Sequence, residues 1–247
     1  MKTEVKKPKN SEKKVSISAS ILSGDFLAMG AAVQGMDAAG VDSFHLDVMD
    51  GHLVPNISFG PVLIQAIRRA TERPLMVHLM IENPGLYLAD YAAVGSDLVY
   101  LHAEAYQQEP VDVTTIRDQA RYTTVIDTDQ MQADLRRARD LGMGAAVVLN
   151  IHTPLAVIEP VVSACDAVLL MAVDPGFSNQ AFMPAVVPKV SALRAIYDGV
   201  ISVDGGVNAT HAPDLIAAGA SDLISASYLF GSANWGAAIQ ALRGNSV

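Results

Sequence analysis

The 247-residue chain predicts an α/β fold, a single-domain (β/α)8 TIM barrel, on three observations. Eight short apolar runs alternate with stretches of helical periodicity, the pattern of βα units around a parallel sheet. Three connections repeat one phrase, a helix end followed by AAGVD, AVGSD or AAGAS and then a strand, so a unit with a glycine C-cap recurs. An open doubly wound sheet would need a GxGxxG turn after the first strand, and SILSGDF is not one. A chain of this size commonly forms one such barrel.

The strands fall at 15–20, 42–48, 75–79, 97–102, 144–149, 166–172, 200–204 and 222–226. Helices fit at 25–39, 61–70, 84–94, 129–141, 154–163, 184–197, 209–218 and 233–243. Pro84 lies early in its helix, and Gly40, Gly95 and Gly219 stand just past helix ends. One stretch exceeds the count. Between Glu104 and Asp129, VDVTTIR and RYTTVID flank DQA, two alternating β-branched runs around a short turn. This predicts a β-hairpin insertion over 105–128, after the fourth strand and on the catalytic rim.

Charge divides the chain into a tail and a body. The whole carries −9, but residues 1–14 hold six Lys and two Glu, so 15–247 stands at −13. Residues 1–14 read as a disordered basic tail, and 15–247 as the barrel. An acidic body excludes nucleic acid and anionic membrane surfaces as partners. No apolar run reaches the ~18 residues of a membrane span. The tail lacks the apolar stretch of a secretory signal, so the expected location is the cytoplasm. The lone Cys165 excludes an internal disulfide and reads as a small core residue.

Strand 42–48 carries the richest signal. Side chains alternate along a strand, so Phe44, Leu46 and Val48 share one face while His45, Asp47 and Met49 share the other. An isolated His-x-Asp fits a satisfied buried pair equally well. Barrel enzymes, however, place their chemistry at strand C-terminal ends. Those ends add His78, flanked by Met76 and Met80, then Met171, then Asp204 before Gly205-Gly206. Two His and two Asp make a nitrogen–oxygen donor set for one divalent ion. His102 and Glu104, at the end of the fourth strand, are expected behind that set. His52, His152 and His211 sit in loop or helix-start contexts.

A second set points to an anion. DPGFSNQ, DGGVN and SASYLFG follow the last three strands, and glycine-rich turns entering helices present backbone N–H groups to phosphate. Gly176, Gly205 and Gly206 also fit plain tight turns. Outside the tail the one lysine is Lys189, inside a helix. That position excludes a Schiff-base aldolase, which needs lysine at a strand end.

SILSGDF, HLDVMDGHLVPNISFGP, VHLMIENP, VVLNIHTPL, LLMAVDPGF and VDGGVN together resemble the ribulose-phosphate 3-epimerase family, over roughly residues 15–240. The resemblance implies epimerisation at carbon 3 of a ketose phosphate, D-ribulose 5-phosphate to D-xylulose 5-phosphate, in pentose phosphate metabolism. It implies one divalent metal ion, zinc or iron(II), with manganese or cobalt as alternatives, at His45, Asp47, His78 and Asp204. Asp47 and Asp204 would be the acid–base pair. Ser20 and His78 would touch substrate, and Met49, Met80 and Met171 would cap the intermediate. Gly176, Phe177, Ser178, Gly205, Gly206, Ala226 and Ser227 would hold the phosphate, and a homo-oligomer is expected. The family has GFGGQ where this chain has GFSNQ, and AGS where it has SAS, so side chains replace glycines near the phosphate. A hexulose 6-phosphate such as allulose 6-phosphate is the alternative substrate. A metal-dependent retro-aldolase is the alternative reaction.

Overall fold

The computed structural model describes residues 15–108 and 125–245. Eight parallel strands, β1 (Ser16–Ser20), β2 (Ser43–Met49), β3 (Leu75–Met80), β4 (Leu98–His102), β5 (Gly144–Leu149), β6 (Ala167–Met171), β7 (Val200–Asp204) and β8 (Asp222–Ser225), close into one barrel in sequence order. The helices are α1 (Met29–Ala39), α2 (Pro61–Arg68), α3 (Leu88–Ala93), α4 (Thr128–Asp140), α5 (Val186–Arg194), α6 (Ala212–Ala218), α7 (Ser227–Phe230) and α8 (Trp235–Leu242). Among the described residues, no helix is long and apolar enough to cross a membrane.

Strand alternation divides the core into two. Phe44, Leu46, Val48, Val77 and Leu79 face outward and join the layer beneath the helices. The barrel interior is filled lower down by Leu98, Tyr100, Val148, Leu169 and Ile224. Near the C-terminal end, Met49, Val54 and Met80 form a separate small cluster. Polar groups are interleaved with this interior packing. Ser18 Oγ donates to Asp222 Oδ1 at 2.8 Å and meets Ser43 Oγ at 2.5 Å, while Tyr100 and Ser202 share a 3.0 Å bond. Cys165 is buried, as a core residue should be, and burial pushes its thiol up to about 12.

Two helical expectations need correction. Residues 154–163 form no α-helix but two 3₁₀ turns, Leu155–Val157 and Val162–Ala164. Pro160 lies between them; it has no N–H to donate, and its ring would clash with the carbonyl four residues back. The short α7 was not expected, because Ser227–Phe230 is a single turn with too few residues to show a period. Elsewhere boundaries shift by a few residues. The helix expected from Asp25 begins at Met29 because the Asp25 carboxylate caps the Leu27 N–H in a turn. The one expected from 209 begins at Ala212, after Asn208 caps the Thr210 N–H in the same way. The helix expected at 84–94 opens as a 3₁₀ turn, Pro84–Tyr87, before α3.

The predicted hairpin falls mostly on residues 109–124, outside those described. Its two ends meet in an antiparallel bridge between Gln107 and Ile126.

The repeated helix-end phrase has a common backbone cause. Gly40, Gly95 and Gly219 all take left-handed φ, at 93°, 88° and 111°. The space around them differs. A Cβ at Gly40 meets nothing within 4 Å, whereas one at Gly219 lies 2.7 Å from Arg194 Cγ. Arg194 cannot step aside freely, because its guanidinium is bonded to the carbonyls of Gly219, Tyr197 and Gly199. Gly40→Ala should therefore cost about 1–2 kcal/mol, the backbone penalty alone, and Gly219→Ala clearly more. Urea unfolding of the two variants checks this; equal losses would refute the assigned role of Arg194.

Candidate metal centre and anion-binding loops

Strand register builds the centre. In the β1–β2 pair Ser20 stands beside His45, in β2–β3 Asp47 beside His78 and Met49 beside Met80, and in β6–β7 Met171 beside Asp204. Paired residues of parallel neighbours point to the same side of the sheet, so all of these side chains turn into the barrel mouth. One atom from each of His45, Asp47, His78 and Asp204 lies within 4.8 Å of the other three. His45 Nε2 is 3.2 Å from His78 Nδ1, 3.2 Å from Asp47 Oδ1 and 3.8 Å from Asp204 Oδ2. His78 Nδ1 is 3.0 Å from Asp47 Oδ1.

These separations suit a divalent ion. Donors about 2.0–2.1 Å from a tetrahedral centre are roughly 3.3 Å apart. Two imidazole nitrogens facing one another at 3.2 Å also make a poor neutral pair, since one must supply a proton or both must share a third partner. The His45 Nδ1 atom is buried without a hydrogen-bond partner. The donor set, two imidazoles and two carboxylates, is the kind that takes first-row divalent ions.

The two carboxylates are held in opposite states. Burial pushes Asp47 up, but His45 and His78 outweigh it and hold the group well below the usual carboxylate range. Its Oδ2 accepts from Ser20 Oγ at 2.7 Å. Asp204 lacks such support. Burial, reinforced by the Asp47 charge, raises it to about 7. Burial pulls His78 down to about 3. On His45 burial works the same way but is outweighed by the Asp47 and Asp204 charges, and the net shift is upward. One acid ionised and its neighbour protonated is how buried like charges coexist.

A cavity opens above this centre. It is lined by Ser20, Asp47, Asp204, the three methionines Met49, Met80 and Met171, and the loops after β6, β7 and β8. Those loops contribute Gly176, Phe177, Ser178, Gly205, Gly206, Ala226 and Ser227. Of the predicted site residues, His45 and His78 alone lie beneath the lining, fully buried. Among the described residues, the lining holds no Lys or Arg. The loop glycines are sterically required: φ is 111° at Gly205 and 64° at Gly206, and a Cβ there would lie 2.5 Å from Val173 Cγ2 and 2.8 Å from the Phe182 nitrogen. The departures from the glycine pattern resolve simply. Asn179 takes φ 61°, a region asparagine tolerates well, and Ala226 has a negative φ of −110°.

Sequence reasoning missed several lining residues, including Leu22, Val173, Asn179 and Gln180. Asn179 carried a usable signal, an asparagine where the family has glycine. It also missed how loops join. Asn56 Nδ2 donates to Gly176 O at 2.7 Å, tying the β2 loop to the β6 loop. Asp50 belongs to that scaffold, its carboxylate accepting the N–H groups of His52, Leu53 and Glu82. His152 and His211 stay outside the cluster, His152 near Asp174 at 3.5 Å and His211 stacked on Phe182. Lys189 is also outside, with Nζ donating to the carbonyls of Asn150, Ile151 and Thr153.

Comparison with known proteins identifies the family. The sequence profile described as "Ribulose-phosphate 3 epimerase family" matches residues 16–126 and 123–230. A ribulose-phosphate 3-epimerase of Bacillus subtilis (strain 168) is 39% identical over 94% of this chain and 99% of its own length. One from Synechocystis sp. is 38% identical over 94% of each. Among solved structures, 3-hexulose-6-phosphate synthase from Salmonella typhimurium superposes with a TM-score of 0.65 at 15% identity, covering 93% of this chain and 97% of the other. At that identity it shares the barrel fold.

Metal uptake should depend on pH in a defined direction. Below pH 7 the metal-free Asp204 keeps its proton, and that proton must leave before the oxygen can bind an ion. Zinc affinity should therefore rise through pH 7 and flatten above it, about tenfold per unit for each proton displaced. Competition titrations at pH 6, 7 and 8 test this; an affinity independent of pH would refute the protonated Asp204.

Proposed function

The chain belongs to the ribulose-phosphate 3-epimerase family, isomerases acting on carbohydrates, and from that premise we propose that it interconverts D-ribulose 5-phosphate and D-xylulose 5-phosphate by proton transfer at carbon 3. The observation that carries this reading is the pair of carboxylates, Asp47 and Asp204, that face one cavity within a two-His, two-Asp cluster.

Epimerisation removes the carbon-3 proton from one face of the sugar and returns one to the other through a planar enediolate. His45, Asp47, His78 and Asp204 would hold a divalent ion, which when bound supplies Lewis acidity for the negative charge developing on the substrate oxygens. Asp47, ionised and oriented by the Ser20 hydroxyl, is poised as the base in one direction. Asp204, the second carboxylate at the cavity, is poised to return the proton as the acid. The roles exchange in reverse. The strands bearing them, β2 and β7, flank the adjacent β1–β8 pair, so the carboxylates approach from two sides.

Met49, Met80 and Met171 present polarizable sulfur around the reacting carbons without offering a competing base. The phosphate belongs at the glycine loops, whose backbone N–H groups supply donors for an anion. That anchor, at the same cavity as the acids, fixes which carbon meets them.

Asp47→Asn and Asp204→Asn should each lower kcat by a factor of about 10² to 10⁴, the usual worth of a positioned acid or base. Binding of the sugar phosphate should change far less. In deuterated water the wild-type enzyme should place deuterium at carbon 3 of recovered ketose phosphate with the carbon chain intact. A panel of ketose 5- and 6-phosphates, assayed with metal-stripped and metal-restored protein, sets pentulose against hexulose substrates. Full turnover in either asparagine variant would remove that residue from the mechanism, and carbon–carbon cleavage products would make the enzyme an aldolase.

A further inference from the structure

Behind the centre lies a second buried pair that does not line the cavity. His102 Nε2 is 2.7 Å from His78 Nε2, and the two rings stack with centroids 4.9 Å apart and planes 15° from parallel. On its far side, His102 Nδ1 is 3.0 Å from Glu104 Oε2. Glu104 is fully buried. Its other oxygen, Oε1, accepts the Asn150 N–H at 2.9 Å and the Thr153 hydroxyl at 2.5 Å. The loop carrying those donors is itself held by Lys189, through three of its carbonyls.

With both imidazoles neutral, this chain of bonds has one consistent direction. A carboxylate only accepts, so His102 Nδ1 must donate to Glu104. In a neutral imidazole the other nitrogen then accepts, so His78 Nε2 must donate to His102 Nε2. His78 Nδ1 is left bare, aimed at His45 Nε2 and Asp47 Oδ1. The opposite arrangement has a local attraction, since a proton on His78 Nδ1 could bond to Asp47 Oδ1 at 3.0 Å. It would turn a lone pair of His102 against the Glu104 carboxylate.

We propose that Glu104, acting through His102, is a positioning residue that fixes the tautomer of His78 and so keeps Nδ1 free as a metal donor. The inference rests on the metal centre of the proposed function. It adds that the centre's affinity is set partly by a carboxylate two residues removed from any donor, as hydrogen-bonded partners behind metal ligands commonly do.

An isosteric change tests it. In Glu104→Gln the Asn150 N–H still needs an acceptor, so the amide oxygen stays on that side and the NH₂ turns to His102 Nδ1. The relay then reverses, and the His78 proton moves to Nδ1, facing the centre. Thr153→Val disturbs the same loop but leaves the carboxylate, and serves as the control for mere structural damage. Zinc titration of metal-stripped protein against a chromophoric chelator should show Glu104→Gln weakened about tenfold or more, with Thr153→Val within threefold of wild type. Nitrogen-15 NMR of the metal-free proteins should place the His78 proton on Nε2 in wild type and on Nδ1 in Glu104→Gln. Wild-type zinc affinity in Glu104→Gln would overturn the proposal, as would a proton on Nδ1 of His78 in metal-free wild type, a measurement that needs no variant to fold. If wild-type protein takes up no zinc, the metal centre itself fails and this inference with it.

Discussion

The alignment of β2 against β3 governs everything above it. Asp47 stands beside His78 only in the register observed, and a slip of one residue would turn His45 and Asp47 out toward the helices. Bringing two carboxylates together in a buried place is unfavourable, so the register must be enforced by something else. The outward face supplies it. Phe44, Leu46 and Val48 are buried almost completely, and at about 1.5–3 kcal/mol each they contribute roughly 5–9 kcal/mol that a slipped strand would forfeit. Barrel closure adds a second constraint, since a sheet without edges has no free strand to slide.

With the strands fixed, electrostatics must accommodate what they assemble. Three acids, Asp47, Asp204 and Asp222, influence His45 in the barrel interior. Among the described residues, no lysine or arginine lines the cavity above them. Asp47 has the strongest compensation, from His45 beside it and the Ser20 hydroxyl. Asp204 and Asp222 instead rise toward the neutral form, chiefly through burial. A cluster of carboxyl groups whose ionisation burial disfavours is one into which a cation would fit with net gain.

Much of this was legible in the sequence because it depends on periods and local backbone rules. Alternation in SFHLDVM assigned inward and outward faces, and both assignments match the packing of β2. Glycines after helix ends marked unit boundaries because left-handed φ is a local requirement. Other features escaped for physical reasons. The segment 154–163 has helical periodicity, but Pro160 interrupts it, and periodicity alone ignores a missing N–H. The partners of Glu104 lie 46 and 49 positions along the chain, on the neighbouring strand's loop. Residues that meet only through tertiary structure leave no local pattern. The β2–β6 loop bond between Asn56 and Gly176, 120 positions apart, is hidden for the same reason.

The proposed substrate raises one more constraint. A phosphosugar is an anion, and the barrel body carries −13 by formal charge. Long-range attraction would require the opposite sign, so the field of the whole protein does not draw the ligand in. Capture must then come from short-range donors, and the cavity offers them as backbone N–H groups on glycine-rich loops. Such donors have little reach, but their directions are set by the fold. Gly205 and Gly206 cannot be replaced without meeting Val173 or the Phe182 backbone, so the loops are shaped by close packing around them. The β2 loop, tied to Gly176, connects this end of the cavity to the strand bearing His45 and Asp47. A site built this way favours placement over attraction, which suits a reaction whose outcome depends on one carbon lying between two acids.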